Sequence, residues 1–283
     1  MNRTRLGIIG KPLGHSLSPV LHTKGMEGSG EIYSYEKWEL EEEQLEKFLL
    51  EIKSDDSNIL GFNVTIPYKE KIIQYLDLLD SKCKLLGAVN TVKYEDGKLI
   101  GYNTDGLGFI ESLKRHDFYV SNKKILIIGS GGAARGIALF LSQLNIKSID
   151  VVARNEEKSK QLLKEVEKFV PAEFFKLDEI FQTNVGEYDL IIQTTPVGMK
   201  NIKGNLEFPY EELKTNQVVV DIVYNPLDTD FLKNCIGKVK ETISGLEMLV
   251  YQGYHSFKIW TGKEENTEVM LETGRNILEG KSE

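Results

Sequence analysis

Short apolar runs alternate with stretches of helical spacing along most of the chain. Residues 6–10 have strand length, and Ser18-Pro19 reads as an N-cap followed by proline at the first helical position. Residues 32–40 alternate in part. Residues 41–52 then place Leu45, Phe48, Leu49 and Ile52 on one helical face. A further strand is predicted over 59–64, followed by a helix opened by Pro67 and carrying Ile72, Ile73, Leu76 and Leu79. Residues 88–94 and 98–103 flank Asp96-Gly97, a strong signal for a two-residue hairpin. The N-terminal part therefore reads as a mixed sheet with at least one antiparallel pair.

Beyond a helix near 106–115 and a polar turn at Ser121-Asn122-Lys123, the pattern tightens. Residues 125–128, 149–153, 190–193 and 218–221 are short apolar strands, most of them separated by helical segments. That succession builds a parallel sheet through right-handed crossovers. The tail from Leu246 is helical again. The fold class is α/β with two domains, divided at a helix near residue 106 rather than by a flexible linker.

The 283 residues suffice for two modest cores, and 41% hydrophobic with 28% charged residues is ordinary for a globular protein. A net charge of -8 argues against a general nucleic-acid binder, so anionic ligands would need local basic residues. Nothing approaches the ~18 consecutive apolar residues of a membrane span. The run at 6–9 is too short for a signal-peptide core, so the expected location is cytoplasmic. Cys83 and Cys235 have no metal-like or redox-like spacing and read as idle thiols; no acidic cluster surrounds the four histidines, and no metal is expected.

The strand at 124–128 enters Gly129-Ser130-Gly131-Gly132-Ala133-Ala134, and a helix follows. This is G-x-G-x-x-A in the setting that gives it meaning: strand before, helix after, second strand about twenty residues on. Gly129 permits the tight turn, and Gly131 lets a pyrophosphate approach the helix N-terminus. The second strand ends in Ala153-Arg154-Asn155 with no acid at its tip. Asp150 lies too early, and Glu156 and Glu157 read as the first turn of the next helix. Arg154, with Lys158 nearby, suits a 2′-phosphate, so NADP(H) is expected over NAD. The plain alternatives are a packing turn and an exposed arginine at a sheet edge.

Four further segments crowd small polar residues where strands should end. These are Gly14-His15-Ser16-Leu17-Ser18-Pro19, Asn63-Val64-Thr65-Ile66-Pro67-Tyr68-Lys69, Gly87-Ala88-Val89-Asn90-Thr91 and Asn103-Thr104-Asp105. Ligands of open α/β sheets sit beyond carboxyl strand ends, and such a set suits a polyol carboxylate. Each also has a structural reading. Ser18 and Asp105 could cap helices, Thr65 could start a turn, and Asn90 and Asn103 could satisfy buried backbone. Their co-occurrence favours a binding site.

With these segments the chain resembles the shikimate dehydrogenase family over nearly its whole length. Gln193-Thr194-Thr195-Pro196-Val197-Gly198-Met199, Asp221-Ile222-Val223-Tyr224-Asn225-Pro226 and the segment from Gly245 to Gly253 match as well. The resemblance implies a substrate domain at 1–105 plus 245–283 and a Rossmann domain at 106–244. It implies reversible NADPH-dependent reduction of 3-dehydroshikimate to shikimate, with no nucleic-acid or membrane partner, by a monomer or homodimer. Carried over, Ser16 and Ser18 hold the substrate carboxylate, with Tyr224 on the carboxylate side. Thr65, Lys69, Asn90, Asp105 and Gln252 bind the ring hydroxyls and reacting carbon. Cofactor contacts fall on Gly129, Gly131, Gly132, Ala133, Arg154, Lys158, Thr195, Gly245 and Met248.

Lys69 is the expected proton donor, oriented by Asp105, and the two act as a coupled pair. Two departures stand out. The family commonly has Asn-Arg-Thr where this chain has Ala153-Arg154-Asn155, and Gly where this chain has Glu247. The Ser-x-Ser pair matches shikimate-selective members better than quinate users, in which Thr often replaces the second Ser. A quinate/shikimate dehydrogenase with relaxed cofactor choice is the nearest rival. A dinucleotide-sensing regulatory module would be expected to lose Lys69 or Asp105.

Overall fold

The computed structural model describes residues 4–27, 32–54, 57–202 and 204–281. The chain divides into two compact units, Met1–Gly108 with Leu249–Gly274, and Phe109–Met248 with Arg275–Glu283.

The first unit contains β1 (Thr4–Gly10), α1 (Ser18–Gly25), β2 (Tyr33–Glu39), α2 (Leu45–Ile52), β3 (Ile59–Val64), α3 (Tyr68–Lys71), β4 (Leu78–Leu79), α4 (Ser81–Leu86), β5 (Thr91–Glu95) and β6 (Lys98–Tyr102). Its six strands order as β2-β1-β3-β5-β6-β4. β1 pairs parallel with β2 and β3, β5 runs antiparallel to β3 and β6, and β4 is parallel to β6. The hairpin turn has Asp96 at φ 50° and Gly97 at φ 74°, the left-handed pair that a two-residue turn requires. Side chains alternate across the sheet. Ile9, Phe62 and Val64 pack with α2 and α3, whereas Leu6 and Ile8 pack with Phe257 and Trp260 from the C-terminal helices.

Two local expectations shift. α1 begins at Ser18 itself, with Leu17 at the cap position and no side-chain cap, so Ser18 is not an N-cap. The helix opened by Pro67 is a single α-turn continued by a 3₁₀ segment to Tyr75. It stops because Asp77 pairs with Leu99, its N–H to the Leu99 carbonyl at 2.9 Å and its carboxylate accepting from the Leu99 N–H at 2.7 Å. Leu79 is thereby drawn onto the sheet beside β6.

α5 (Asp105–Arg115) leads into the second unit. There β7 (Lys124–Ile128), α6 (Gly132–Ser142), β8 (Ser148–Ala153), α7 (Glu156–Val166), β9 (Ala172–Lys176), β10 (Leu190–Gln193), β11 (Val218–Asp221), α8 (Asp230–Cys235) and β12 (Glu241–Ser244) follow. α9 (Gly245–Thr261) and α10 (Thr267–Leu278) close the chain. All pairs in the order β12-β11-β10-β7-β8-β9 are parallel. The inner strands are buried on both faces and read as apolar runs. The sequence reading missed β9 and β12, edge strands in which polar residues interrupt the apolar run.

Cys83 and Cys235 are buried free thiols, and burial pushes each up to about 12. Among the described residues no helix is long and apolar enough to cross a membrane.

Candidate active site

Strand polarity gathers the polar segments of the first unit. β1 and β3 run parallel, so their carboxyl ends share one edge of the sheet, followed by the Ser16–Ser18 turn and the Thr65–Lys69 segment. β5 runs opposite to β3, which brings its first residues, with Asn90 just before them, to that same edge. β6 reverses again and delivers Asn103, Thr104 and Asp105 there.

At that edge the Lys69 Nζ donates to Asp105 Oδ2 at 2.7 Å. The Asn90 amide donates to Asp105 Oδ1 at 2.8 Å, to Thr104 Oγ1 at 2.9 Å and to Gln252 Oε1 at 3.3 Å. Four of the expected residues, Lys69, Asp105, Asn90 and Gln252, thus form one hydrogen-bonded cluster. Lys69 and Asp105 are each partly exposed, at 33% and 23% of the side chain, and so remain open to a ligand. Asn90 is buried, and its Oδ1 accepts from the Thr104 N–H at 2.8 Å, so it also satisfies backbone. Asn103 serves backbone throughout, donating to the Ala88 carbonyl and accepting from the Asp105 N–H. Gln252 sits where α5 crosses α9. A Cβ on Gly108 would lie 2.5 Å from the Gln252 nitrogen, so the close crossing requires glycine.

Beneath the cluster lies a polar layer in which the sequence reading named Ser18, Asn63 and Thr91 but not their partners Tyr35, His22, Ser256 and Glu265. Asn63 donates to Ser256 Oγ at 2.9 Å and to Thr91 Oγ1 at 3.2 Å, and it accepts from the Tyr35 hydroxyl at 2.7 Å. Tyr35 stacks on His22 at 4.3 Å, and His22 pairs with buried Glu265 at 2.8 Å. Burial pushes the Tyr35 hydroxyl well up, and Ser18 hydrogen-bonds to it. Ser18 is thereby coupled through Tyr35 and Asn63 to the Asn90 neighbourhood. Ser16 and Thr65 are half-buried; the Thr65 carbonyl accepts from the Tyr68 N–H at 2.9 Å, which makes Thr65 the start of a turn as well. A tyrosine on a strand and a serine on a helix look unremarkable in sequence, and only the pairing register reveals them.

In the second unit, Gly129 takes φ 116°, and a Cβ there would lie 2.6 Å from Thr194 Oγ1, so the tight turn demands glycine. Gly131 and Gly132 face open space. Gly131 caps α6 with no side-chain hydrogen bond, and Ala133 stands exposed in the first turn. Helix amides left without a side-chain cap, beside a bare glycine surface, fit a pyrophosphate. Beyond the ends of β8, β9 and β10 lies a cavity of about 750 Å³, with Arg154, Glu156, Lys176 and Thr195 among its walls. That size lies within the range of small-molecule pockets, ~300–1,000 Å³. Lys158 is exposed and does not line it. Glu156 does, although its place in the first turn of α7 had marked it as a helix residue only.

Two of the three departing residues have local roles, and nothing in the structure explains Ala153. The Asn155 side chain accepts from the Lys158 N–H at 2.9 Å and caps α7. Glu247 is buried, with both carboxylate oxygens 3.0 Å from His116 Nε2 and one of them 3.9 Å from Arg275. Asp150 accepts from the Tyr188 hydroxyl at 2.9 Å and the Glu173 N–H at 3.0 Å, which occupies it structurally. Tyr224 follows β11, half-buried, and burial raises its hydroxyl. Gly245 and Met248 lie in the first turn of α9, Gly245 so close to the Ile222 carbonyl that a Cβ would sit 2.0 Å from it. Among the described residues no group of three or more His, Cys, Asp or Glu is arranged to hold a metal.

Three family models match successive parts of the chain: a shikimate dehydrogenase substrate binding domain over residues 8–92, shikimate / quinate 5-dehydrogenase over 112–234, and a shikimate 5′-dehydrogenase C-terminal domain over 245–273. The chain is 43% identical over 271 residues to a shikimate dehydrogenase (NADP(+)) of Methanococcus maripaludis strain C6, covering 95% of this chain and 96% of that one. The chain belongs to the shikimate dehydrogenase family. A shikimate dehydrogenase crystal structure in complex with NADP+ superposes with a TM-score of 0.88 at 40% identity, covering 98% of this chain and 96% of the other. The shikimate 5-dehydrogenase of Listeria monocytogenes, in complex with shikimate and NAD, gives 0.90 at 31% identity, with 96% of each chain covered.

Proposed function

We infer that the chain catalyses the reversible NADPH-dependent reduction of 3-dehydroshikimate to shikimate, a step toward aromatic amino acids. The observation that carries this reading is the 2.7 Å contact between Lys69 and Asp105 inside a hydroxyl-and-amide cluster. When bound, NADPH supplies the hydride that goes to the ketone carbon. Lys69 gives the proton to the ketone oxygen, and in the reverse direction takes it back from the hydroxyl. Asp105 holds the ammonium in place, and Asn90 holds Asp105 from its other oxygen. A positioned acid–base group of this kind contributes about 10²–10⁴-fold.

Ser16 and Ser18 take the substrate carboxylate, with Tyr224, while Thr65, Asn90 and Gln252 take ring hydroxyls. Such a ligand is recognised by directional hydrogen bonds, and an analogue that leaves one of these groups unpaired is rejected strongly. For the cofactor, Gly129, Gly131, Gly132 and Ala133 form the pyrophosphate turn. Arg154 meets the 2′-phosphate, and Thr195, Gly245 and Met248 complete the dinucleotide contacts. The enzyme works in the cytoplasm as a monomer or homodimer, with its two thiols buried and protonated.

Initial rates of NADP+ and NAD+ reduction with shikimate and with quinate test the reading. Shikimate with NADP+ is expected to give the highest kcat/KM, above quinate by at least about tenfold. Equal use of quinate and NAD+ would make this a relaxed quinate/shikimate dehydrogenase. Absence of NADP+ reduction by shikimate would end the assignment.

A further inference from the structure

We propose that the buried pair of Glu265 and His22 is a positioning strut, which fixes the distance between Ser18 at one end of the substrate and Gln252 at the other. This rests on the shikimate site inferred above.

His22 lies one helical turn after Ser18, and both belong to the buried face of α1. The His22 Nδ1 meets Glu265 Oε1 at 2.8 Å, with the two side chains 1% and 0% exposed. Glu265 stands in the short connection between α9 and α10. The next residue strengthens the link, since the Asn266 N–H donates to the Gly25 carbonyl at the end of α1 at 3.0 Å. The other ring nitrogen of His22 faces α9 itself. A Cβ on Gly253 would lie 3.0 Å from His22 Nε2, and Gly253 directly follows Gln252. The imidazole is thus wedged between the helix that begins at Ser18 and the helix that carries Gln252. Its flat face stacks on Tyr35 at 4.3 Å, and the Tyr35 hydroxyl hydrogen-bonds Ser18 and donates to Asn63.

Stability alone does not account for the pair. A carboxyl taken wholly out of water loses its hydration, and among the described residues Glu265 Oε2 has no hydrogen-bond partner. Burial accordingly raises the Glu265 carboxyl, while His22 opposes that rise. Well-packed apolar side chains often replace a buried pair without loss of stability. They lack direction, however. One hydrogen bond from a stacked ring sets a single spacing between α1 and the α9–α10 connection, where apolar contact would allow sliding.

Steady-state kinetics of Glu265→Leu in the full-length chain test this, with urea denaturation as the control for folding. KM for shikimate should rise about tenfold, with kcat within about threefold and KM for NADP+ within about twofold. The urea midpoint should be kept. Glu265→Gln retains an acceptor for His22 Nδ1 and should return KM for shikimate to within about threefold of the parent. A merely structural lesion would instead reduce the folded fraction, lowering kcat and leaving both KM values alone. Coupling gives the sharper readout. In a Gln252→Ala background Glu265→Leu should add less than about twofold, because the spacing has lost its second anchor. Gly253→Ala reaches the strut from α9 without altering the pair, and should raise KM for shikimate at least about threefold. It decides the matter if Glu265→Leu does not fold. The proposal is overturned if folded Glu265→Leu, or Gly253→Ala in its place, keeps the parent KM for shikimate. It is also overturned if both KM values rise together, if kcat alone falls, or if the full effect survives in Gln252→Ala. Should the parent itself reduce no NADP+ with shikimate, the underlying reading fails instead.

Discussion

Three neutral donors hold the Asp221 carboxylate inside the second unit. Thr229 Oγ1 donates at 2.7 Å, the Val223 N–H at 2.9 Å and the Gln193 amide at 3.2 Å. Gln193 in turn donates to the Thr195 and Val197 carbonyls, so this one residue pair shapes both loops that the family resemblance picked out. Burial outweighs the donors and raises Asp221 from 3.8 to about 6. A carboxyl with a raised folded value binds its proton more tightly in the native state. Its contribution is therefore most favourable below about pH 4 and declines as pH rises through about 6. Each tenfold change is worth about 1.4 kcal/mol, so the decline amounts to about 2–3 kcal/mol. Asp221→Asn keeps the shape and removes the titration. Urea midpoints at pH 4 and pH 7 should show this variant gaining on the parent at the higher pH, whereas a difference independent of pH would refute the charge effect.

Among the elements, α9 has the tightest seat. Trp260 donates to the Val92 carbonyl at 2.8 Å, and a Cβ on Gly61 would lie 2.2 Å from its ring. The same β3 face carries Asn63, which bonds Ser256 one helical turn before Trp260. Gly61→Ala is expected to cost about 1–3 kcal/mol by overpacking. It should also raise KM for shikimate, because Gln252 and Ser256 ride on the displaced helix. Chemical denaturation and steady-state kinetics together check this, and an unchanged urea midpoint would mean the seat is loose. Element type was legible wherever one physical cause dominated. Asp96-Gly97 announced its hairpin through left-handed backbone, and doubly buried parallel strands announced themselves as apolar runs. β9 and β12 were hidden because edge strands need no such run. The spacing of Ile72, Ile73, Leu76 and Leu79 fits a helix, but the pairing of Asp77 with Leu99 lies outside local sequence and ends it early.

Over the whole molecule, the chain crosses between its units inside helices, after Gly108 in α5, Met248 in α9 and Gly274 in α10. The expected boundary was a helix near residue 106, with 245–283 assigned whole to the substrate domain, and sequence pattern has no means to divide a helix. The candidate site was legible to the extent that polar residues collected at strand ends. The resemblance then proposed Lys69, Asp105, Asn90 and Gln252, and the strands bring these four together. Tyr35 and Ser256 were not legible, and Asn63 was legible only as the head of a polar segment, since their partnership depends on register across distant strands and a helix. With a net charge of -8, the protein needs locally placed cations to attract anions.

The central claim is that the ammonium of Lys69 moves the proton, and steady-state kinetics of Lys69→Ala address it most directly. The expected result is a fall in kcat of at least about a hundredfold with KM for shikimate nearly unchanged, the pattern of an interaction made chiefly in the transition state. A variant that keeps its kcat and loses only KM would make Lys69 a binding residue and contradict the mechanism.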